Sequence, residues 1–325
     1  MNLLGNRLVL VLGLCLSGAF VLAPLEATPA KEPVKAVAKS AAKAEKQSVF
    51  AAQQFQQAAL SPDGKNVAWV EIRTDAAGGP TGKQDIYVAP ASGTGKAIRL
   101  TAGESTGHYD ESGVAWSRDA RRLAFLSDAA KSGQLQLYLS SPQDSAPQKI
   151  TNVKGFLADP KWSPDGKSIA LLFTENATRA AGPLVAETPE TGEVKDTFFE
   201  QRLAVVDLAS GKLRQVTPAD TYVYEYDWAP DSKTILLTAA KGNGDNNWYI
   251  AELFSLDSAT ESMKSIYKPP LQIGRPAVSP DGKYVAFVSG LMSDEDSIGG
   301  DVFLLPVAGG EPRNLTPERK ASASA

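Results

Sequence analysis

This 325-residue chain has only one cysteine and one histidine. These two residue types form most crosslinks, zinc sites and catalytic bases. The cysteine, Cys15, lies in an apolar N-terminal run that we expect to be removed, so disulfides would not stabilise the mature chain. One histidine without a mature cysteine excludes a conventional zinc site. The sequence therefore predicts neither a metal ion nor another cofactor.

A large net charge of either sign is also missing: the net charge of the chain is −4. The repeated motifs described below carry no basic cluster, whereas nucleic-acid binding requires a basic surface. Nucleic acid is therefore not an expected partner.

Long hydrophobic sequence is confined to the N-terminus. Arg7 precedes an uncharged run of 16 residues, Leu8 to Ala23, and Thr28-Pro29-Ala30 follows as a small-residue cleavage site. A membrane anchor is the alternative, but a helix that spans a bilayer needs about 20 apolar residues. We predict a signal peptide over residues 1–30 and a periplasmic or secreted mature chain that does not span the membrane.

Residues 31–47 are rich in alanine and lysine. Lysines recur at every fourth position, at Lys31, Lys35, Lys39 and Lys43. On a helix they would form one like-charged stripe, which makes an isolated helix marginal. We predict a solvated linker that precedes a domain over residues 48–325; a basic tether that touches an anionic surface is the alternative.

The rest of the chain contains one turn motif five times. Its fullest copy, Trp162-Ser163-Pro164-Asp165-Gly166-Lys167, precedes an apolar run. Proline sets φ for the second position of a type I turn, aspartate caps the turn with its side chain, and glycine accepts the left-handed conformation. An apolar residue ends the strand before the turn, and β-branched and aromatic residues form the next strand. The other copies begin at Leu60, Trp116, Trp228 and Val278.

A second pair of short strands follows each copy, for example Asp85–Ala89 and Ala97–Thr101. The motif aspartates are 56, 46, 66 and 50 residues apart. Four short strands repeated at roughly 40 to 60 residues are typical of a β-propeller blade. We predict an all-β chain of about five four-stranded blades with loops of variable length. The motif aspartates are Asp63, Asp119, Asp165, Asp231 and Asp281.

Within these blades, Trp116, Trp162 and Trp228 occupy the same motif position, so we predict that each fills the space between neighbouring sheets. Residues 48–59 are the poorest strand candidate, which leaves one strand of the first blade in doubt. Only nine residues follow Thr316. We therefore expect an incomplete ring of blades.

Three longer segments carry a resemblance to a known family: Glu200–Asp207, Tyr222–Trp228 and Gly290–Glu295. They resemble the propeller of the prolyl oligopeptidase family of serine peptidases, especially its dipeptidyl aminopeptidase and acylaminoacyl-peptidase members. The turn motif itself resembles TolB-type periplasmic propellers equally well. The likeness covers about Leu60 to Pro317.

The peptidase resemblance implies a filter. In that family, a propeller of seven or eight blades precedes an α/β-hydrolase domain that carries Ser, Asp and His, and it restricts which peptides reach the active site. This chain shows five repeats and no such domain. We predict the non-catalytic, substrate-gating propeller of an exported peptidase, truncated or split, whose partners are a peptide substrate and a separate hydrolase domain or chain. A stand-alone TolB-like propeller that binds a periplasmic protein is the alternative.

One motif resembles a hydrolase nucleophile: Gly103-Glu104-Ser105-Thr106-Gly107, followed by His108. A nucleophile elbow needs a strand before the serine and a helix after it, and here the next strand follows instead. A histidine three residues from its serine is also poorly placed as its base. We predict a loop that connects two blades and no catalytic residue.

Acidic residues are the remaining candidates for binding. Propeller carboxylates of aminopeptidase members grip the free amine of the substrate, and the resemblance implies that role for Glu225, Asp294 or Glu295. Glu225 lacks the adjacent second glutamate of the dipeptidyl peptidase motif, so an ordinary blade residue is the alternative. For Asp294-Glu295-Asp296 the alternative is a solvated loop.

Asn243, Asp245 and Asn247 alternate as in a calcium loop. The downstream glutamate of such a loop is missing, so we predict the tip of a hairpin and no metal site.

Overall fold

The computed structural model describes residues 54–75, 79–103, 110–141, 146–177, 199–242, 245–291 and 298–323. All of them belong to one compact unit, Gln47–Ala325. Within these ranges the chain forms twenty β-strands and a 3₁₀ helix at Asp245–Ile250. In the same ranges, no helix is both long and apolar enough to cross a bilayer. The predicted signal peptide and linker lie outside the described residues.

The strands form five antiparallel sheets of four, each in chain order, as predicted. Blade 1 consists of β1 (Phe55–Leu60), β2 (Asn66–Thr74), β3 (Pro80–Pro90) and β4 (Ile98–Leu100). Blade 2 consists of β5 (Glu111–Trp116), β6 (Leu123–Ser127), β7 (Gln136–Ser140) and β8 (Gln148–Lys149). Blade 3 consists of β9 (Gly155–Trp162), β10 (Ser168–Glu175), β11 (Gln201–Asp207) and β12 (Leu213–Gln215).

Blade 4 consists of β13 (Thr221–Trp228), β14 (Thr234–Lys241), β15 (Glu252–Asp257) and β16 (Met263–Tyr267). Blade 5 consists of β17 (Gln272–Val278), β18 (Tyr284–Gly290), β19 (Asp301–Pro306) and β20 (Arg313–Asn314). The doubtful strand of blade 1 exists, because β1 pairs with β2 along its whole length.

The turn motif closes each hairpin through local hydrogen bonds. In blade 3 the Gly166 N–H donates to the Ser163 carbonyl at 2.9 Å, and Gly166 has a φ of 69°. The Ser163 hydroxyl donates to Asp165 Oδ1 at 2.7 Å and accepts the Ser168 N–H at 3.0 Å. The motif serine thus connects the turn to the next strand, a role that the sequence analysis did not assign.

Blade 4 builds the same turn without that serine, since Ala229 replaces it. Asp231 compensates, because its carboxylate accepts the backbone N–H groups of Lys233 and Thr234 and the Thr234 hydroxyl, at 2.7–2.9 Å. Ser232 takes the left-handed position with a φ of 61°. The turn therefore tolerates changes that preserve its aspartate.

Consecutive blades pack face to face around one hydrophobic cluster per interface. The predicted core tryptophans are buried in three of these clusters. Trp116 lies between blades 1 and 2, Trp162 between blades 2 and 3, and Trp228 between blades 3 and 4. Each indole N–H also donates to a backbone carbonyl of the preceding blade, at Ala59, Ala115 and Lys161 respectively, over 2.9–3.2 Å. These bonds hold the first strands of neighbouring blades side by side.

Four such clusters join five blades, and within the described residues none joins blade 5 to blade 1. The five described blades therefore do not close into a ring, as predicted.

Candidate functional site

A β-bulge interrupts the first strand of every blade. The residue three positions before the first motif residue lies at or beside this bulge, and in three blades it has a positive φ: Gly113 (66°), Asp159 (46°) and Arg275 (57°). Bulges re-aim side chains out of the regular strand alternation. The five residues at this repeat position are Gln57, Gly113, Asp159, Glu225 and Arg275.

In blades 3 to 5 this position and its neighbours bring charges together. We call Asp159, Lys161, Glu225, Asp227 and Arg275 the inner charged cluster. Lys161 Nζ lies 3.4 Å from Asp159 Oδ2, donates to the Tyr226 carbonyl at 2.6 Å and lies 4.7 Å from the centre of the Tyr226 ring. The cluster therefore spans the first strands β9, β13 and β17.

Glu225 connects blade 4 to blade 5. Its Oε2 accepts the Arg275 backbone N–H at 2.6 Å, and its Oε1 lies 3.5 Å from Arg275 Nε. Asp227 makes a parallel contact, since its Oδ2 accepts the Val278 N–H at 2.8 Å. These two carboxylates replace the tryptophan bond of the other interfaces, because Val278 occupies the tryptophan position in blade 5.

Gly274 allows this close approach. A Cβ at this position would lie 2.8 Å from Ile298 Cδ1 and 3.1 Å from Glu225 Oε2. A larger residue would therefore have to push aside the end of the Ile298 side chain and crowd the Glu225 carboxylate.

Burial has the largest effect on the pKa values of Glu225 and Asp227. Desolvation raises the pKa of Glu225, and the Arg275 backbone N–H and the charges of Arg275 and Lys161 only partly oppose it. Desolvation likewise raises the pKa of Asp227 against the Val278 N–H. The side chains of Asp159 and Arg275 are 46% and 54% exposed, so the cluster has a buried side and an open side. With three carboxylates and two cations, it suits a cationic or zwitterionic ligand.

A further perturbed carboxyl, Glu111, lies between blades 1 and 2 and is fully buried. Its Oε1 accepts the Thr101 hydroxyl, the Ala102 N–H and the Ser127 hydroxyl at 2.7–3.2 Å. Its Oε2 is buried without a hydrogen-bond partner. Desolvation raises the pKa of Glu111 to about 7 despite the three donors.

The candidates from the sequence divide into two groups. Glu225 lies on β13 as predicted and belongs to the inner charged cluster. Asp294, Glu295, Ser105 and His108 lie outside the described residues. The sequence analysis missed Asp159, Lys161, Asp227 and Arg275. An alignment of the five motif copies could have found them, because each of these charged residues lies either one or three positions before the first motif residue.

The calcium-like segment differs in detail from its prediction. Asn247 lies in the 3₁₀ helix of the β14–β15 connection and donates to the Lys241 carbonyl at 3.3 Å, so the connection is wider than a plain hairpin tip. Among the described residues, no three His, Cys, Asp or Glu side chains are grouped as metal ligands.

Sequence comparison finds peptidases, whereas no family model matches the chain. The uncharacterized peptidase YuxL of Bacillus subtilis is 26% identical over 241 residues, which are 73% of this chain and 30% of that protein. Dipeptidyl-peptidase 5 of Porphyromonas gingivalis is 33% identical over 147 residues, which are 42% of this chain and 18% of that protein. The chain thus spans less than a third of either relative.

Solved structures show the same propeller fold at low identity. TolB from Acinetobacter baumannii is 16% identical with a TM-score of 0.52, covering 84% of this chain and 56% of that chain. A puromycin-hydrolyzing peptidase of Mycobacterium tuberculosis is 15% identical with a TM-score of 0.53, covering 82% and 37%. The acylaminoacyl peptidase of Pyrococcus horikoshii is 11% identical with a TM-score of 0.54, covering 82% and 40%.

Proposed function

We propose that this chain is the non-catalytic, substrate-gating propeller of an exported serine peptidase of the prolyl oligopeptidase type. The observation that carries the proposal is the inner charged cluster, formed on the strands where neighbouring blades meet. The similarity to two peptidases supports it. Hydrolysis would belong to a separate hydrolase domain or chain, and this chain would select the peptide.

Selection would act on the free amine of the peptide. Glu225 Oε2 is held by the Arg275 N–H, whereas Oε1 has only the longer contact to Arg275 Nε and is the atom available to an ammonium group. Asp159 offers a second carboxylate on the open side of the cluster. Partial burial strengthens an ion pair, because fewer water molecules screen it. Asp294 and Glu295 keep the same proposed role.

The binding of a free amine is directly testable with trialanine and N-acetyl-trialanine. We expect the chain to bind trialanine more tightly, and we expect Glu225→Gln to weaken that binding about 10- to 100-fold, because a charge-assisted hydrogen bond contributes about 1.5–3 kcal/mol. Glutamine retains an acceptor for the Arg275 N–H, so β17 stays in place. Isothermal titration calorimetry measures both affinities.

Glu261→Gln provides the matched control, since Glu261 is an exposed carboxylate paired with Arg214 away from the cluster. Equal affinity for the acetylated and free peptides would exclude amine recognition. Peptide hydrolysis by the chain alone, abolished by Ser105→Ala, would overturn the non-catalytic assignment altogether.

The stand-alone alternative is favoured by the TolB structure, which matches 84% of this chain. It predicts a periplasmic protein partner bound through the loops between blades. Under this alternative, Glu225→Gln would leave both peptide affinities unchanged.

A further inference from the structure

Blade 1 carries an aromatic face that none of the other described blades covers. We call this the leading face; it consists of the side chains of β1 to β3 that point away from blade 2. The Trp69 and Tyr87 rings stack there at 5.6 Å, and both side chains remain half-buried. Leu60 and Phe55 lie on the same face, because they pair with Val67 and Glu71, and they are 62% and 59% exposed.

The same positions are covered in the later blades. Phe125 and Tyr138 form the equivalent stacked pair of blade 2 and are 0% and 5% exposed under blade 1. Phe287 and Phe303 form it in blade 5, packed on blade 4. The position of Leu60 is taken by the buried motif tryptophans in blades 2 to 4. The leading face of blade 1 therefore has apolar and aromatic residues at the positions that pack between blades elsewhere, and Glu71, Arg73 and Asp85 lie beside them on the same face.

Blade 5 carries the opposite half of that interface. The side chains of blade 5 that point away from blade 4 form what we call its trailing face. They are Ala286, Val288, Val302 and Leu304. The equivalent four residues of blade 1 are 0–6% exposed because blade 2 covers them. In blade 5 only Val288 falls below a tenth exposed, and the other three are half-buried. The equivalent residues of blade 1 are Ala68, Val70, Ile86 and Val88.

We propose that the leading face of blade 1 docks on the trailing face of blade 5 of a second copy of this chain. The four interfaces within the chain already join a leading face to a trailing face, and the two uncovered faces are the remaining halves of a fifth interface of the same kind. The contact is head to tail, so it either closes into a ring or adds further copies. The inference is independent of peptide binding.

The test is the mass of the full-length chain as a function of concentration, measured by sedimentation. We expect the mass to rise with concentration. Trp69→Glu on the leading face and Leu304→Glu on the trailing face should each weaken association at least about tenfold, because either places an unpaired carboxylate in an apolar contact. Tyr249→Glu is the control, since Tyr249 is 53% exposed and lies on neither face.

Mixing the two variants separates this proposal from its alternatives. Each variant keeps one intact face, so an equimolar mixture should form a one-to-one complex while each variant alone stays monomeric. Circular dichroism melting confirms that both variants are folded. The proposal would be overturned if the wild-type chain were monomeric at every concentration. That result would mean that the two faces close within one chain or are covered by its own N-terminal residues. A mixture that does not associate would also overturn it.

Discussion

Replacing Trp162 with alanine is expected to lower the free energy of unfolding by about 3–5 kcal/mol, the usual cost of truncating a large buried aromatic side chain. Trp162 is 8% exposed and packs in the cluster between blades 2 and 3. Its indole donates to the Ala115 carbonyl at 2.9 Å, and the Arg122 guanidinium lies 4.5 Å from the ring centre. Alanine would remove the packing, the hydrogen bond and the cation–π contact together.

Urea unfolding followed by circular dichroism measures this loss. Trp162→Phe should retain most of the packing and lose mainly the hydrogen bond, about 1–3 kcal/mol for a buried acceptor without its donor. Trp248→Ala is the matched control, because Trp248 is half-buried in the 3₁₀ helix and belongs to no core cluster. An unchanged unfolding curve for Trp162→Ala would mean that the blades do not pack as described.

Glu111 is expected to make the chain less stable as the pH rises from about 4.5 to 7. The folded state raises the pKa of this carboxyl to about 7, while the unfolded chain keeps the ordinary value near 4.5. Below the lower value both states are protonated and the group has no net effect. Above it the unfolded state ionises first, so about 3 kcal/mol of stability is lost by pH 7, at 1.36 kcal/mol per pH unit.

Glu111→Gln should remove this dependence. The amide resembles the protonated carboxyl, and its oxygen accepts the same three donors from Thr101, Ala102 and Ser127. We expect the variant to unfold like the wild type at pH 4 and to be more stable by up to about 3 kcal/mol at pH 8. Chemical unfolding at several pH values measures the difference, with the exposed Glu311→Gln as control. Parallel curves for Glu111→Gln and the wild type would show that Glu111 stays ionised in the folded chain.

Glu111 and Glu225 illustrate how one residue type acquires different environments. Glu111 faces hydroxyl and amide donors between blades 1 and 2, and no cation from the described part of the chain contacts it directly. Glu225 has Arg275 beside it and keeps one side toward the open part of the cluster. The first arrangement connects a loop to a blade, whereas the second leaves a carboxylate oxygen for a ligand.

Local chemistry explains why the blades were predictable. Each turn closes within six residues through its aspartate and a left-handed residue, with a proline in four copies and a serine in four copies, and each strand follows at a constant offset. Such contacts need no distant partner. The strand β1 was harder to predict because its sequence is polar, and it is stabilised by distant contacts: the Trp116 indole bond to Ala59 and the paired bonds between the Gln57 amide and Val114.

The amino-acid sequence by itself determined the fold class, the five hairpin motifs and the core role of the motif tryptophans, because all of these depend on neighbours within one repeat. Tertiary structure alone decided which side chains meet in the inner charged cluster. Asp159, Glu225 and Arg275 are 66 and 50 residues apart and converge only when blades 3, 4 and 5 stack. It also decided which blade faces are covered by another described blade, because the alternation of a strand shows that it has two faces but not what packs against each.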